Sequence, residues 1–391
     1  MAGLVSGVAF AQSAPSGASS APPSNNVTLY GRVDLGYVYS KSDYKKFQGI
    51  EDGNSPTGNT SMIGVRGEEA LGNGLKAIYQ FEWGVTADDG AGPGVSPAYG
   101  RRYTYAGLSG NFGRVTFGRQ STPMDNFYIS GSDVFGTTGI RPFSVFRGKL
   151  SFMNATAMRW DNSIAYNSPR FSGVEFTGIY SFGEKVNAGG GNDDNGAFKS
   201  ADTSDAGKLG LGVKYANGPL YLVALYMALA DDDSVAPYGV PSNTGYGAKG
   251  WGIGGAYDFK VVKLHANYIR EKANHDGLAT GPNDGSDKQA FWTVSAGIPV
   301  SSAGTVTLEY GQYKDYVHGV RGTTAISHNV DGGGKSKGYM VGYRHVLSRR
   351  TSLNVYASQF SNDKNVTSGY AKTIVQGEKQ TNFVVSILHL F

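Results

Sequence analysis

Four arginines stand where their guanidinium groups would share a polar surface. Arg32 lies on the same strand face as Thr28 and Asp34, opposite Leu29, Val33 and Leu35. Arg66 lies opposite Ile63 and Val65, and Arg102 shares a face with Thr104, opposite Tyr103 and Tyr105. Arg159 shares one with Asp161 and Ser163, opposite Trp160, Ile164 and Tyr166. A guanidinium keeps its charge at any physiological pH. The chemistry open to such a set is therefore electrostatic, attracting anions and orienting dipolar groups. Arg119 falls on the apolar parity with Val115 and Phe117 and ranks below the other four.

Covalent and metal chemistry find weaker support. The six histidines (His265, His275, His318, His328, His345 and His389) are scattered, without HExxH spacing, and the chain has no Cys. No metal site or cofactor is expected. Gly250, Gly252 and Gly255 match GxGxxG, but inside an alternating strand rather than at a strand-to-helix turn, so a dinucleotide site is not expected. There the glycines would ease packing or leave room. No GxSxG elbow is present. Asp258 and His265, on neighbouring strands, are the nearest candidates for an acid–base pair, and two polar wall residues is the preferred reading. The formal charge of +4 is mild, and no Lys/Arg cluster suits a nucleic-acid backbone.

The elements that would position the arginines are strands. Leu75, Ala77, Tyr79, Phe81, Trp83 and Val85 share one face, and Lys76, Gln80, Glu82 and Thr86 the other. Lys208–Tyr215, Trp251–Phe259 and Thr305–Tyr310 alternate in the same way, as do Phe383, Val385, Ile387, His389 and Phe391 in the last segment. Connections take turns between two lengths. Seven are short, near Leu71–Gly74, Gly110–Gly113, Ser168–Ser172, Asn217–Pro219, Lys260, Ser301–Ala303 and Ser348–Arg349. Eight are long, near Lys41–Thr60, Ala87–Gly100, Ser121–Met158, Glu184–Gly207, Asp231–Ala248, Ala273–Asp287, His318–Lys335 and Asn362–Gly377. Together they join sixteen strands. An even count lets first and last strands pair, which abolishes the open edge. The spacing predicts an all-β, sixteen-stranded antiparallel transmembrane barrel with short periplasmic turns and long outer loops, wide enough to leave a water-filled interior. The chain has no apolar run of about eighteen residues, and a membrane barrel needs none.

The third long connection, Ser121–Met158, stands apart. It spans 38 residues and carries Phe127, Tyr128, Phe135, Phe143, Phe146 and Phe152. Connections that long are functional or disordered, and disordered ones hold few aromatics. Folded inward, it would bury its rings on the wall and narrow the interior. Upstream, Leu4–Ala11 is a short apolar run closing on Ala9-Phe10-Ala11, a small-x-small cleavage pattern without the usual basic region before it. Residues 1–11 are expected to be a signal peptide, 12–26 a flexible lead-in, and 27–391 the barrel.

Val27–Leu35 (VTLYGRVDL), Ile63–Gln80, Ala106–Gln120, Asn162–Gly173 and the closing His389-Leu390-Phe391 carry a likeness that runs from Val27 to Phe391. In these residues the chain resembles the general porins of Gram-negative bacteria, in particular the trimeric porins of neisserial and other β-proteobacterial type. The resemblance implies a homotrimer in outer-membrane lipid and lipopolysaccharide that passes small hydrophilic solutes and ions. It also implies a third loop folded inward as a constriction and an assembly machinery that reads the last residue, here Phe391. Trimer contacts would come from the first few strands and the last.

On that resemblance the constriction sets Arg32, Arg66, Arg102 and Arg159 of the wall against the loop charges Asp125, Asp133, Arg141, Arg147 and Lys149. Two acids against three bases departs from the acid-rich inward loop usual in the family, so the chain is expected to favour anions. The alternatives are a channel selective for organic anions, sugars or phosphate, and a surface adhesin or receptor barrel. Enzymatic activity is not expected.

Overall fold

In a computed structural model the chain is described at residues 25–52, 61–88, 101–129, 138–150, 152, 158–182, 207–229, 246–275, 286–315, 334–364, 366, 368–369, 373 and 377–391. The expected leader and most of the lead-in lie outside them, as do large parts of the outer loops. The strands are β1 (Asn26–Ser42), β2 (Lys46–Asp52), β3 (Met62–Gly72), β4 (Leu75–Gly84), β5 (Arg101–Gly110), β6 (Gly113–Ser121), β7 (Arg159–Asn167) and β8 (Val174–Ser181). They continue as β9 (Lys208–Asn217), β10 (Leu220–Leu229), β11 (Tyr246–Asp258), β12 (Lys263–His275), β13 (Ser286–Pro299), β14 (Gly304–Asp315), β15 (Lys335–Val346), β16 (Thr351–Asn362) and β17 (Lys379–Leu390).

These seventeen segments form sixteen staves of one closed antiparallel barrel. The upper half of β1 pairs with β2, from Leu35 opposite Asp52 to Lys41 opposite Lys46. Its lower half pairs with β3, from Asn26 opposite Glu68 to Arg32 opposite Met62. Thus β2 and β3 lie along the same edge of β1 and make one stave between them. The first long connection, expected over Lys41–Thr60, therefore contains a tight turn and a strand. The alternation is hidden there because Phe47 and Ile50 are three residues apart and fall on opposite faces. Phe47 packs inward near Val38, while Ile50 is exposed outside.

Elsewhere alternation sets the two surfaces, apart from irregularities near the start of β5 and β7. Val33, Phe81, Phe117, Leu222, Ile253, Val294, Leu308, Val355 and Val385 are exposed on the outer wall. Ser40, Thr116, Asn267, Thr293, Thr307, Asn354, Asn382 and Ser386 are buried on the inner one. In water so much exposed apolar surface would promote aggregation. In lipid it is the stable arrangement, provided that every backbone group is paired within the ladder.

The ladder closes between β1 and β17, from Arg32 opposite Leu390 to Ser42 opposite Gln380. Beyond it, Gly31 and Phe391 exchange two backbone hydrogen bonds of 3.1 Å each. A Cβ at Gly31 would collide with the Phe391 ring and lie 2.7 Å from the Met62 carbonyl oxygen. Glycine is what lets the ring fold over the seam. Gly31→Ala is expected to destabilise the barrel by about 1–3 kcal/mol, the usual cost of overpacking. Much of that cost should vanish in a Phe391→Ala background, where the ring is gone. Urea unfolding of the four variants in detergent micelles, read by heat-modifiable gel mobility, measures both numbers.

Candidate functional site: the inward-folded third loop

The third loop leaves the wall at a local irregularity. Gly118 has φ +122°, and the β6–β7 register slips between Gly118 and Gln120. The Thr122 N–H then donates to the Met158 carbonyl at 3.0 Å and ties the two ends of the loop together. One turn of π-helix (Met124–Ile129) follows, and later a short helix, α1 (Pro142–Arg147).

Pro142 presets the first turn of α1, but its N-cap, Arg141, contributes no capping side chain. The opposite wall supplies the cap. Glu309 of β14 accepts the Phe143 N–H at 2.5 Å, and Arg141 Nε and Nη2 at 3.1 Å each. Glu271 of β12 accepts the Phe152 N–H at 2.8 Å. Around these bonds the rings pack: Phe143 lies 5.7 Å from Phe291, and Phe146 lies 6.1, 6.1 and 5.9 Å from Phe291, Tyr313 and Phe360. Ile140, Phe146, Leu150 and Phe152 are fully buried. At roughly 1.5–3 kcal/mol per side chain this far exceeds the slowly growing entropy cost of a longer loop. The loop is therefore a packed layer inside the barrel, as its aromatic content led us to expect. Phe127 and Tyr128 have no described side chains, and Phe135 and Asp133 lie outside the described residues.

The wall at the near end of the loop carries the arginines. Arg159 sits 3.3 Å from Asp125, with its guanidinium 4.6 Å from the centre of the Tyr103 ring. Asp125 also accepts the Tyr103 and Ser121 hydroxyls, each at 2.8 Å. Burial opposes ionisation of Asp125, but Arg159 and these two hydrogen bonds prevail and hold its carboxyl below the usual range. Arg102 pairs with Glu82, whose second oxygen accepts the Tyr30 hydroxyl at 2.9 Å. Gln80 links Tyr30 and Tyr105, at 2.6 and 2.7 Å. Arg66 lies over the Tyr30 ring at 5.2 Å, and Arg32 shares the field of Arg102, Asp34, Glu82 and Asp52. In the loop, burial pushes the Lys149 ammonium down to about 8 against the pull of Asp315.

Placement on the faces differs from simple parity at two strands. Tyr103 and Tyr105 face inward and Thr104 outward, because a register shift opposite Glu82 and Trp83 inserts Arg102 as an extra residue. Arg102 reaches the lumen through that bulge, not by sharing a face with Thr104. Near Arg159, Trp160 is buried inside while Asp161 is exposed and pairs with Arg119 at 2.9 Å. Asn162, at φ +46°, marks the irregularity that turns this strand. Arg141 is tied to Glu309 rather than presented to the lumen, Arg147 and Lys149 are half-buried, and Phe391 belongs to the seam. Parity had put Glu82 and Glu309 on polar faces, but their partners come from other strands and from the loop, which only register reveals. Asp258 accepts the Lys260 N–H at 2.7 Å in its own tight turn.

A closed membrane barrel whose interior is crossed by a packed loop, facing a wall of arginines, defines a transmembrane channel. The chain matches the Gram-negative porin family over residues 1–365 and belongs to it, as a protein of the bacterial outer membrane. It is 32% identical to outer membrane porin protein 32 of Delftia acidovorans over 98% of this chain and 99% of that one. It is 30% identical to an outer membrane porin protein of Bordetella pertussis, over 96% of each. Among solved structures, the anion-selective porin from Comamonas acidovorans superposes with a TM-score of 0.72 at 27% identity, covering 94% of this chain and all of that one.

Asp125→Asn keeps an oxygen for the Tyr103 and Ser121 hydroxyls but removes the charge that offsets Arg159. One unit charge about 7 Å from the ion path in water is worth about RT. An anion gains and a cation loses about RT, so the anion-to-cation permeability ratio, read from reversal potentials, should rise about sevenfold.

Proposed function

We propose that this chain forms a water-filled diffusion pore for small hydrophilic solutes and ions, with a preference for anions, and works as a homotrimer. Its constriction lies between the third loop and the wall that carries Arg32, Arg66, Arg102 and Arg159. One observation carries the reading: around this lumen most described bases keep partial access to water, with Arg141 and Arg159 buried, while most described acids are withdrawn, with Asp125 partly exposed. Arg32, Arg66, Arg102, Arg147 and Lys149 keep partial access to water. Asp34, Glu51, Asp52, Glu82, Glu271 and Glu309 are all buried. An ion in the lumen thus meets guanidinium and ammonium groups at short range, while the carboxylates act from behind them. The relative from Comamonas acidovorans, described as anion-selective, supports the same sign. Phe391, seated on the β1–β17 seam, serves as the signal for the assembly machinery, and the exposed apolar belt meets lipid and lipopolysaccharide.

Purified protein in a planar bilayer, under a tenfold KCl gradient, tests this directly. Conductance should appear in steps of three with a reversal potential of anion-preferring sign. Cation preference would overturn the charge assignment, and the absence of channels from folded protein would overturn the pore. Lys149 adds a pH signature. Below about 8 its ammonium contributes positive charge, and above that value it is neutral. Anion preference should fall as pH rises from 7 to 9, and the Lys149→Met variant should lack that part of the change.

A further inference from the structure

The outer wall of β11 to β15 carries a band of bases at its outer-loop end. Lys249 of β11 lies opposite Lys272 of β12, which lies opposite Lys288 of β13. Lys314 of β14 lies opposite Lys335 of β15, and Arg270 stands two residues nearer the membrane centre than Lys272. Strand alternation puts all six on the outward face, in line with Trp251, Leu264, Val294, Tyr310 and Tyr339, which are exposed. Each of the six is itself exposed or half-exposed. Neighbouring acids turn the other way, with Glu271 buried inside and Asp315 acting on Lys149 in the lumen. A lone surface lysine needs no explanation, but this band crosses five strands, about 19 Å at the usual spacing.

Below the band, on the same strands, the wall is hollow. Leu222 lies opposite Gly255, Gly255 opposite Ala266, and Ala266 opposite Val294, so two small residues meet at the centre of one cross-strand row. A Cβ at Gly255 would press on Leu222 at 3.0 Å, and its absence lowers the floor. Two adjoining hollows of about 600 and 790 Å³ meet at this row. Aromatic pairs stand beside it, Trp251 with Tyr268 at 5.4 Å and Trp292 with Tyr310 at 5.5 Å. Ile253, at the upper end of the hollow, is four residues from Lys249, about 13 Å along the strand. Bulk lipid needs only a smooth apolar belt. A groove between ring pairs holds one chain by close packing.

Resting on the reading that the apolar belt meets outer-membrane lipid, we infer that the outer face of β10 to β15 is a binding site for one phosphorylated glycolipid of the outer leaflet, of the lipopolysaccharide kind. Its phosphates sit on the band of bases, and one of its acyl chains lies in the hollow. The lysine stems lie along the apolar wall while their ammonium groups reach the headgroup level. Six bases spread over about 19 Å outnumber the single phosphate of an ordinary glycerophospholipid, so the band matches a headgroup with several phosphates. These strands are not those expected at the trimer contact, which leaves the face open to lipid.

The test measures lipid binding to the purified protein in detergent by native mass spectrometry. Three ligands are compared on the wild type: lipid A with two phosphates, its fully dephosphorylated form, and phosphatidylglycerol. Lipid A should be retained once per chain and the other two lost. A base at the membrane surface is worth about fivefold in affinity, so the triple variant Lys249→Gln, Lys272→Gln, Lys288→Gln should bind lipid A about a hundredfold more weakly. Ala266→Trp fills the hollow with every charge in place, and losing on the order of ten close atom contacts should weaken binding about tenfold. Lys260→Gln, in the tight turn at the opposite end of the same strands, is the control and should bind as the wild type does. Equal retention of lipid A and its dephosphorylated form would overturn the site, as would wild-type affinity in the triple variant or in Ala266→Trp. Equal retention of phosphatidylglycerol would overturn it too, by showing that one phosphate suffices. The comparison of lipids needs no variant, so it carries the test if one does not assemble. Protein that fails to insert into liposomes would remove the membrane reading itself, whereas protein that inserts and conducts but retains no lipid A would overturn this site alone.

Discussion

A strand in lipid has no water to satisfy its backbone, so each must bond on both sides, and everything else here follows from closing that ladder. The closure reaches as far as the reciprocal bonds between Gly31 and Phe391. It also explains why β1 takes two partners along one edge: the stave made by β2 and β3 has to cover both halves of β1. Where β2 meets β3 the two are tied together, with Asp52 accepting the Ser61 N–H at 3.0 Å and its hydroxyl at 2.7 Å. Closing sixteen staves fixes a diameter too large for side chains to fill.

The third loop answers that excess of space. A globular domain buries its apolar residues between elements, whereas this barrel has turned most of its own outward. The inner wall of β10 to β16 keeps some inside, including Val223, Met227, Phe291, Tyr313 and Phe360. They form a core only because the loop brings Phe143, Phe146, Leu150 and Phe152 to them. One half of the lumen is thus packed nearly like a protein interior. The sector from β1 to β7 carries the arginines, with Glu82, Tyr30, Gln80 and Tyr103 as their polar neighbours. The lumen is thus asymmetric, with a filled sector on one side and a charged sector on the other.

How much of this could be read from the sequence depends on what each feature is made of. Alternation is local, so β4, β9, β11, β14 and β17 are legible residue by residue. The seven tight turns and the exceptional third loop are legible as well, through spacing and aromatic content. Registers are not local. A single bulge at Arg102 reverses the faces of Tyr103 and Tyr105, and irregular backbone at Gly118 and Asn162 sends Asp161 outward to Arg119. Each slip changes parity for the residues beyond it. The partners Glu82 with Arg102 and Glu309 with Arg141 are separated by 20 and 168 positions, and nothing in either neighbourhood announces the other. So the types of residue at the site were visible, and the pairings among them were not.

The pairings matter because they decide which charges an ion meets. An arginine beside a carboxylate might be thought neutralised, yet the two groups are not equally placed. The carboxylates of Glu82 and Glu309 lie deep in the wall with their oxygens filled by tyrosine, arginine or backbone donors. Arg66 instead lies across the Tyr30 ring at 5.2 Å, which supports the flat guanidinium and leaves its edge to solvent or solute, whereas Arg159, over the Tyr103 ring at 4.6 Å, is buried against Asp125. A lysine has no such plane and would hydrate as a mobile point charge. The wall therefore presents positive charge that is already oriented, at little cost of reorganisation when an anion arrives. Its negative charge is used up in holding tyrosines, arginines and the loop in place, so the acids of this pore build the site more than they face it.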